Sequence, residues 1–329
     1  MEMLKTNRTP SFSHAEFLLL GFPGVTEHRK LLFIPFSSVY LMILLGNSLM
    51  MRRIWVEKSL RSPMYLLIFF LLGMNVFYTT ALAPKMLLSF LGLNAISLSG
   101  CLVQMFTVYF SIMMESNVLL LMALDRYVAI CRPLLYHAII TRDLLMKLSG
   151  VGVVQNLLVV FPVVFLASRV RFCKSNVVLH FHCENLMILN LACEDISRIE
   201  NIGLVARVVI TICNIGILIV SYAKVLHSAM KIAVGMARRK ALHTCLAHLL
   251  VVFLVYSTGI VSSALYRVGP SVSNDVQNLC NAIYLLLPAA INPFIYGLRI
   301  KEIKDRFMKP WKKKSRLVSV STVTKEGRS

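Results

Sequence analysis

The chain has 329 residues, of which 57% are hydrophobic and only 15% charged, with a mean hydropathy of +0.72. Soluble chains carry about 25% charge, so the composition excludes an ordinary water-soluble domain. The net charge of +20 would suit a nucleic-acid partner, but the placement of the basic residues assigns it to membrane topology, and no nucleic acid is expected.

Seven apolar runs, at 31–51, 64–88, 98–124, 144–166, 200–223, 246–265 and 279–298, each approach the roughly 20 residues that cross a bilayer as a helix. The expected fold is an all-α membrane protein, a seven-transmembrane-helix bundle with a short amphipathic eighth helix on the inner leaflet. Residues 1–30 would lie outside, 31–298 form the bundle, 299–311 the amphipathic helix and 312–329 a disordered inner tail. Arg52, Arg53, Lys58 and Arg61 follow the first run, and further Lys and Arg residues crowd 238–240 and the tail. The loops after the first, third and fifth runs therefore face inward, as the positive-inside rule requires. Residues 1–30 lack an uninterrupted apolar core with a small-residue cleavage site, so the first span is expected to act as the export signal.

Asn7-Arg8-Thr9 is an N-glycosylation sequon, and the topology puts Asn7 on the side where it would be glycosylated. In the first span Gly46 permits close helix approach, and Asn47 must find partners across the bundle. Ser62-Pro63 restarts the chain, with Ser as N-cap and Pro at the first helical position, where its missing N–H costs nothing. Glu115 lies deep in the third span. Arg126 follows about 16 Å further along a helix, at the inner interface beside Asp125, where charges are costly unless used. Of eight cysteines, Cys101, Cys173, Cys183 and Cys193 fall on the outer, oxidising side, and four cysteines allow three connectivities. Cys131, Cys213, Cys245 and Cys280 are expected to be free. The connection at 169–199 is too long for an ordinary loop, and such segments are usually functional or disordered; stapled by two bridges, it would be an ordered lid. An arginine facing lipid costs at least a few kcal/mol, so Arg207 in the fifth span should face the bundle. Pro293 frees a carbonyl in the seventh helix, and Asn292 is expected to re-satisfy the backbone there. Ile300, Ile303, Phe307 and Trp311 share one helical face, with Lys301, Lys304, Arg306 and Lys309 elsewhere, a pattern that lies on membrane lipids.

Several strings together resemble one family. They are Leu18 to Gly24 before the first span, Pro63-Met64-Tyr65, Pro84-Lys85, and Met122 to Cys131 around Asp125-Arg126-Tyr127. The run Lys240-Ala241-Leu242-His243-Thr244-Cys245-Leu246-Ala247-His248 and Asn292-Pro293-Phe294-Ile295-Tyr296 complete the set. Over about residues 17–307 the chain resembles olfactory receptors, a branch of the rhodopsin-like G-protein-coupled receptors. Phe181-His182-Cys183-Glu184 looks most like the class I (fish-like) group. Tyr256 stands where most rhodopsin-like receptors carry Trp, as is usual in this branch.

The resemblance implies a plasma-membrane receptor, not an enzyme, with its N-terminus outside. It would bind a small odorant within the bundle and activate a stimulatory, olfactory-type heterotrimeric G protein to raise cAMP, with a trafficking chaperone as helper. It implies disulfides Cys101–Cys183 and Cys173–Cys193; closing the second should contribute about 3 kcal/mol. With Cys183 so engaged, His180-x-His182 is not expected to bind a metal. The implied ligand contacts are Gln104, Val108, Tyr109, Ile112, Arg207, Tyr256, Ser263 and Arg267. A carboxylic acid is the expected ligand class, because a guanidinium donates two parallel hydrogen bonds to a carboxylate; the alternative is that Arg207 pairs with Glu184, Glu194, Asp195 or Glu200 and Arg267 reaches lipid headgroups. Coupling would use Asp125, Arg126, Tyr127, Tyr222, Lys240, Asn292, Pro293 and Tyr296, with Arg126 paired chiefly to Asp125 at rest. Asn47, Asn75, Glu115 and Ser116 would form an internal ion and water network. Asn75 replaces the family's usual Asp, so only a weak internal sodium ion is expected, and no other cofactor. The absence of an internal repeat argues against a secondary transporter, a lone deep carboxylate against an intramembrane protease, and the lack of a filter loop or charge rings against a channel. The alternative reading is a non-olfactory rhodopsin-like receptor for a small metabolite, or a member of this family sensing chemicals outside the nose.

Overall fold

The computed structural model describes residues 13–60, 62–231, 234–268 and 272–297, with the side chains of Ser59, Ile199, Ala237 and Lys240 left out. Asn7 and the segments 299–311 and 312–329 lie outside the described residues. Within them, seven helices are long and apolar enough to cross a membrane. They are α1 (Phe33–Val56), α2 (Pro63–Phe90), α3 (Leu98–Cys131), α5 (Arg142–Arg169), α7 (Ser197–Lys231), α8 (Met236–Val268) and α9 (Asn274–Gly297). Two short helices, α4 (Tyr136–Ile139) and α6 (Asn185–Leu189), sit in the second inner and second outer connections.

The helices overrun the apolar stretches that announce them. α8 starts at Met236, well before 246, and α3 runs 34 residues, about 51 Å of helix against a hydrocarbon core near 30 Å. Hydropathy marks only the part in lipid; a helix satisfies its own backbone and continues into water. The caps are partly unlike the expectation. Thr141 and Ser97 accept from Leu144 N and Gly100 N, both at 3.1 Å. Ser62 takes the cap position of α2 with its side chain unused, and its carbonyl instead receives Tyr65 N at 3.0 Å.

Proline explains one tie through the bundle. Pro293 has no N–H for the Ala289 carbonyl four residues back. Asn47 Nδ2, not Asn292, donates to that carbonyl at 3.0 Å, and a second Asn47 bond reaches Ile43 O at 2.8 Å. Gly46 lets α1 come this close, since a Cβ there would stand 3.1 Å from Pro293 Cγ. Tyr78 of α2 adds a bond to Leu285 O of α9 at 2.7 Å.

The outer end carries a small sheet that the hydropathy pattern does not reveal. β1 (Glu16–Leu19) runs between β2 (Ala95–Ser97) and β3 (Val177–Val178). It is antiparallel to β2, with Phe17 opposite Ile96, and parallel to β3, with Leu18 opposite Val177. Phe17 and Leu19 are fully buried with Phe172, Val178 and Ile188. Cys101–Cys183 and Cys173–Cys193 are both bridged, with Cα separations of 5.4 and 5.3 Å. Gly21 passes so close to the lid that a Cβ would meet Phe181 Cβ at 2.6 Å. The 169–199 connection is thus an ordered roof, and the N-terminal segment is woven into it.

Candidate functional site

Beneath the roof, α3, α5, α7, α8 and α9 enclose a cavity of about 470 Å³. Ridges of α3 one turn apart present Val108, Ile112 and Ser116, with Tyr109 beside them; α7 adds Arg207, and α8 adds Tyr256, Ser263 and Arg267. The walls are otherwise mostly aliphatic, including Val159, Val160 and Val163 of α5. Such a space suits a small organic molecule with an apolar body and one polar head.

Gln104 is not among the lining residues. It is buried one turn above Val108, its Nε2 donating to Ala81 O and its Oε1 accepting from Cys183 N, both at 3.0 Å. It fastens α2, α3 and the roof together. The roof in turn supplies lining residues that sequence reading missed: His182, Glu184 and Asn185, along with Asn281 and Tyr284 of α9. Their only sequence signal was nearness to Cys183, and for α9 a position one to two turns outward of Pro288.

Glu184 organises the polar end. One carboxylate oxygen accepts from Leu186 N at 2.7 Å and Met187 N at 3.1 Å, capping α6; the other accepts from Tyr109 Oη at 2.8 Å. Asn185 N donates to the same Tyr109 hydroxyl at 3.1 Å. The Arg207 guanidinium lies 5.9 Å from the Tyr109 ring centroid, a favourable cation–π placement. Among the described residues Arg207 forms no ion pair within 4.0 Å. Glu194 pairs with Arg171 at 3.0 Å and Asp195 accepts from Ser197 N at 2.9 Å. Arg267 donates to Ser263 O of its own helix at 3.1 Å. Above the cavity His180 Nε2 shares a hydrogen bond of 2.7 Å with Tyr266 Oη, which also receives Asn281. Burial lowers both imidazoles, with His182 down to about 3, so both are neutral at physiological pH.

At the inner end Asp125 is fully buried. It accepts from Arg126 Nε at 2.9 Å on one oxygen and from Tyr136 Oη at 2.7 Å on the other. Tyr136 of α4 went unnoticed in the sequence because it lies beyond the Asp125-Arg126-Tyr127 string. Lys224 Nζ stands 6.0 Å from the Tyr127 ring. Tyr222 of α7 and Tyr296 of α9 are buried, and Lys240 lies on α8 with its side chain outside the description.

Between cavity and switch, Asn47, Asn75, Glu115 and Asn292 are all buried. Asn75 Nδ2 donates to Asn47 Oδ1 at 3.1 Å. Three buried oxygens, Glu115 Oε1, Asn75 Oδ1 and Ser111 Oγ, one of them from a carboxylate, are without a protein hydrogen-bond partner. Ser116 also lines the ligand cavity, and Ser111, four residues before Glu115, lies on the same helical face as that carboxylate.

The olfactory receptor family model matches residues 36–314. Human olfactory receptor 52K1 is 34% identical over 314 residues, covering 95% of this chain and 100% of that receptor. Human olfactory receptor 52Z1P is 37% identical over 290 residues, covering 87% and 96% of the two chains, and human olfactory receptor 52H1 is 33% identical over 298 residues, covering 90% and 95%. Bundle, bridged roof and inner Asp-Arg pair thus sit in a chain that belongs to the olfactory receptor family, consistent with its class I branch.

Proposed function

We propose that the chain is an odorant receptor of the plasma membrane. A small organic ligand held in the cavity shifts the bundle toward a state in which α8 swings outward and Arg126 leaves Asp125. A heterotrimeric G protein of the stimulatory, olfactory type then inserts the C-terminal helix of its α subunit, and cAMP rises. A ligand can do this only by binding the active arrangement more tightly. The observation that carries the reading is the mostly aliphatic cavity with Arg207 on its wall and, among the described residues, no carboxylate within 4.0 Å of that guanidinium. Both disulfides and the N-terminal strand sit at the same end of the bundle, which supports that end facing the oxidising exterior.

The ligand class proposed is a small carboxylic acid, its head on Arg207 or Arg267 and its chain against Val108, Ile112 and Tyr256. Glu115, Asn75 and Ser111 are proposed to hold a weak sodium ion or water. The test is a cAMP reporter assay in cells co-expressing a trafficking chaperone, with panels of acids, alcohols, esters and amines. Any active acid is compared with its methyl ester and rerun on Arg207→Gln and Arg267→Gln. An ester as potent as its acid on the unaltered receptor removes the carboxylate reading. A well-expressed receptor whose responses ignore Ile112→Ala and Tyr256→Ala removes the cavity.

A further inference from the structure

Among the described residues, the cavity has a buried ceiling and exposed lining on its α7–α8 side. Its ceiling residues are themselves inaccessible: His182, Glu184 and Asn185 are 2%, 5% and 8% exposed. Over them lie the sheet, two disulfides and the His180–Tyr266–Asn281 hydrogen bonds. The side wall is different. Val208, Ile212 and Ile260 line the cavity and are 44%, 64% and 51% exposed. These three and two arginines, Arg207 and Arg267, are the exposed members of the lining, and all five lie on α7 or α8. The lining residues of α5 are buried or half-buried.

The backbone pattern has the same sense. No described side chain of α7 from Ser197 to Cys213 is buried; Asn214 is the first. Inward of it, Leu218, Tyr222, Val225 and Ala229 pack tightly. The inner half of α7 is therefore bound into the bundle, while its outer half stands away from the core with the cavity behind it. Val208 and Ile212 are one turn apart and share a face, and Ile260 of α8 lines the same cavity, so the three mark its aliphatic α7–α8 side within the spans.

We infer that the cavity exchanges its ligands with the outer leaflet of the membrane through the seam between α7 and α8, not with water through the roof. This rests on the cavity being the ligand site. The class of ligand follows from the route. Passage along Val208, Ile212 and Ile260 admits small molecules that dissolve in hydrocarbon uncharged, since a full charge in the membrane is costly. Arg207 and Arg267 then meet the polar head on the inner side of the seam. Permanently charged molecules of the same size are excluded whatever their fit to the cavity.

The test needs no known agonist. In a full-length receptor with Cys131, Cys213, Cys245 and Cys280 replaced by Ala, Ile112→Cys puts one free thiol on the cavity wall. The receptor is reconstituted in phosphatidylcholine nanodiscs and alkylated with N-ethylmaleimide, which is neutral and lipid-soluble, or with a sulfonated maleimide confined to water. Each rate is divided by that reagent's rate on free cysteine. The neutral reagent should label at least about tenfold faster, and adding Ile212→Trp with Ile260→Trp should slow it by about tenfold or more. Both tryptophans replace exposed isoleucines, and normal thermal unfolding of that variant controls for folding. Equal normalised rates for the two reagents would overturn the inference, as would no labelling by either, or a neutral rate indifferent to the tryptophans. None of those results touches the ligand reading, which stands or falls on the responses of Ile112→Ala and Tyr256→Ala in the signalling assay.

Discussion

Replacing Gln104 by leucine separates two roles that its position on α3 allows. The sequence pattern makes it a ligand contact; the structure makes it a fastener between α2, α3 and the roof. Leucine nearly conserves volume, so little cavity is created. The Cys183 N–H, fully buried, loses its acceptor at 3.0 Å, and a stranded buried donor costs about 1–3 kcal/mol. Loss of the bond to Ala81 O adds about 1 kcal/mol. A net destabilisation of about 2–4 kcal/mol corresponds to a fall on the order of 5–15 °C in unfolding midpoint for a large domain. The buried Cys245 thiol reports unfolding through a thiol-reactive fluorophore on purified receptor. The disulfide to Cys101 survives the change, so the loss should be partial and agonist potency should move by less than about threefold, under 1 kcal/mol. An unchanged midpoint together with a large potency shift would show that Gln104 touches ligand and that the fastening argument is wrong.

Arg126→Ala should leave surface expression near normal and abolish agonist-driven cAMP; undiminished signalling would remove Arg126 from the switch. Tyr136→Phe deletes the 2.7 Å bond that holds Asp125, and hydrogen bonds to charged groups contribute about 1.5–3 kcal/mol. Basal cAMP should therefore rise several-fold at matched expression, and a fall would contradict a restraining role. Asn75→Asp restores a second carboxylate beside Glu115, so basal signalling should become more sensitive to sodium; equal sodium dependence in both proteins argues against the ion site. For pH, His182 is held near 3 when folded against about 6.5 when unfolded. The unfolded chain binds the extra proton between those values, so stability is complete above about pH 6.5 and declines as pH falls. The loss from His182 is about 2 kcal/mol by pH 5, and His182→Gln should weaken the pH dependence of the unfolding midpoint, leaving the part that His180 contributes.

What the sequence makes legible follows from how strongly physics constrains each feature. A bilayer demands about 20 apolar residues per crossing, so the seven spans were plain, while nothing demands that helices stop at the headgroups; hence the early start of α8 at Met236. The roof sheet was hidden because its strands are four, three and two residues long, too short for alternation to register. Gln104, Val108 and Ile112 share a stripe on α3, and periodicity alone cannot tell that the first lies level with Cys183 and the others below it. The bond from Asn47 to Ala289 joins residues far apart in sequence; an orphan carbonyl was foreseeable from Pro293, its donor was not.

The three-stranded roof also constrains the order in which the molecule can be made. β1 emerges first, but its antiparallel partner lies about 80 residues later and its parallel partner about 160 later, and closing such loops before intervening contacts exist is entropically unfavourable. Until the chain has been synthesised past Val178, at least one edge of β1 presents unpaired N–H and C=O groups with Phe17 and Leu19 uncovered. Such an edge is a template for pairing with other chains. The interval between insertion of the first and fourth membrane helices is thus the vulnerable period of biosynthesis. Slowed elongation or a reducing lumen during that interval should lower the yield of mature protein even where every helix inserts correctly.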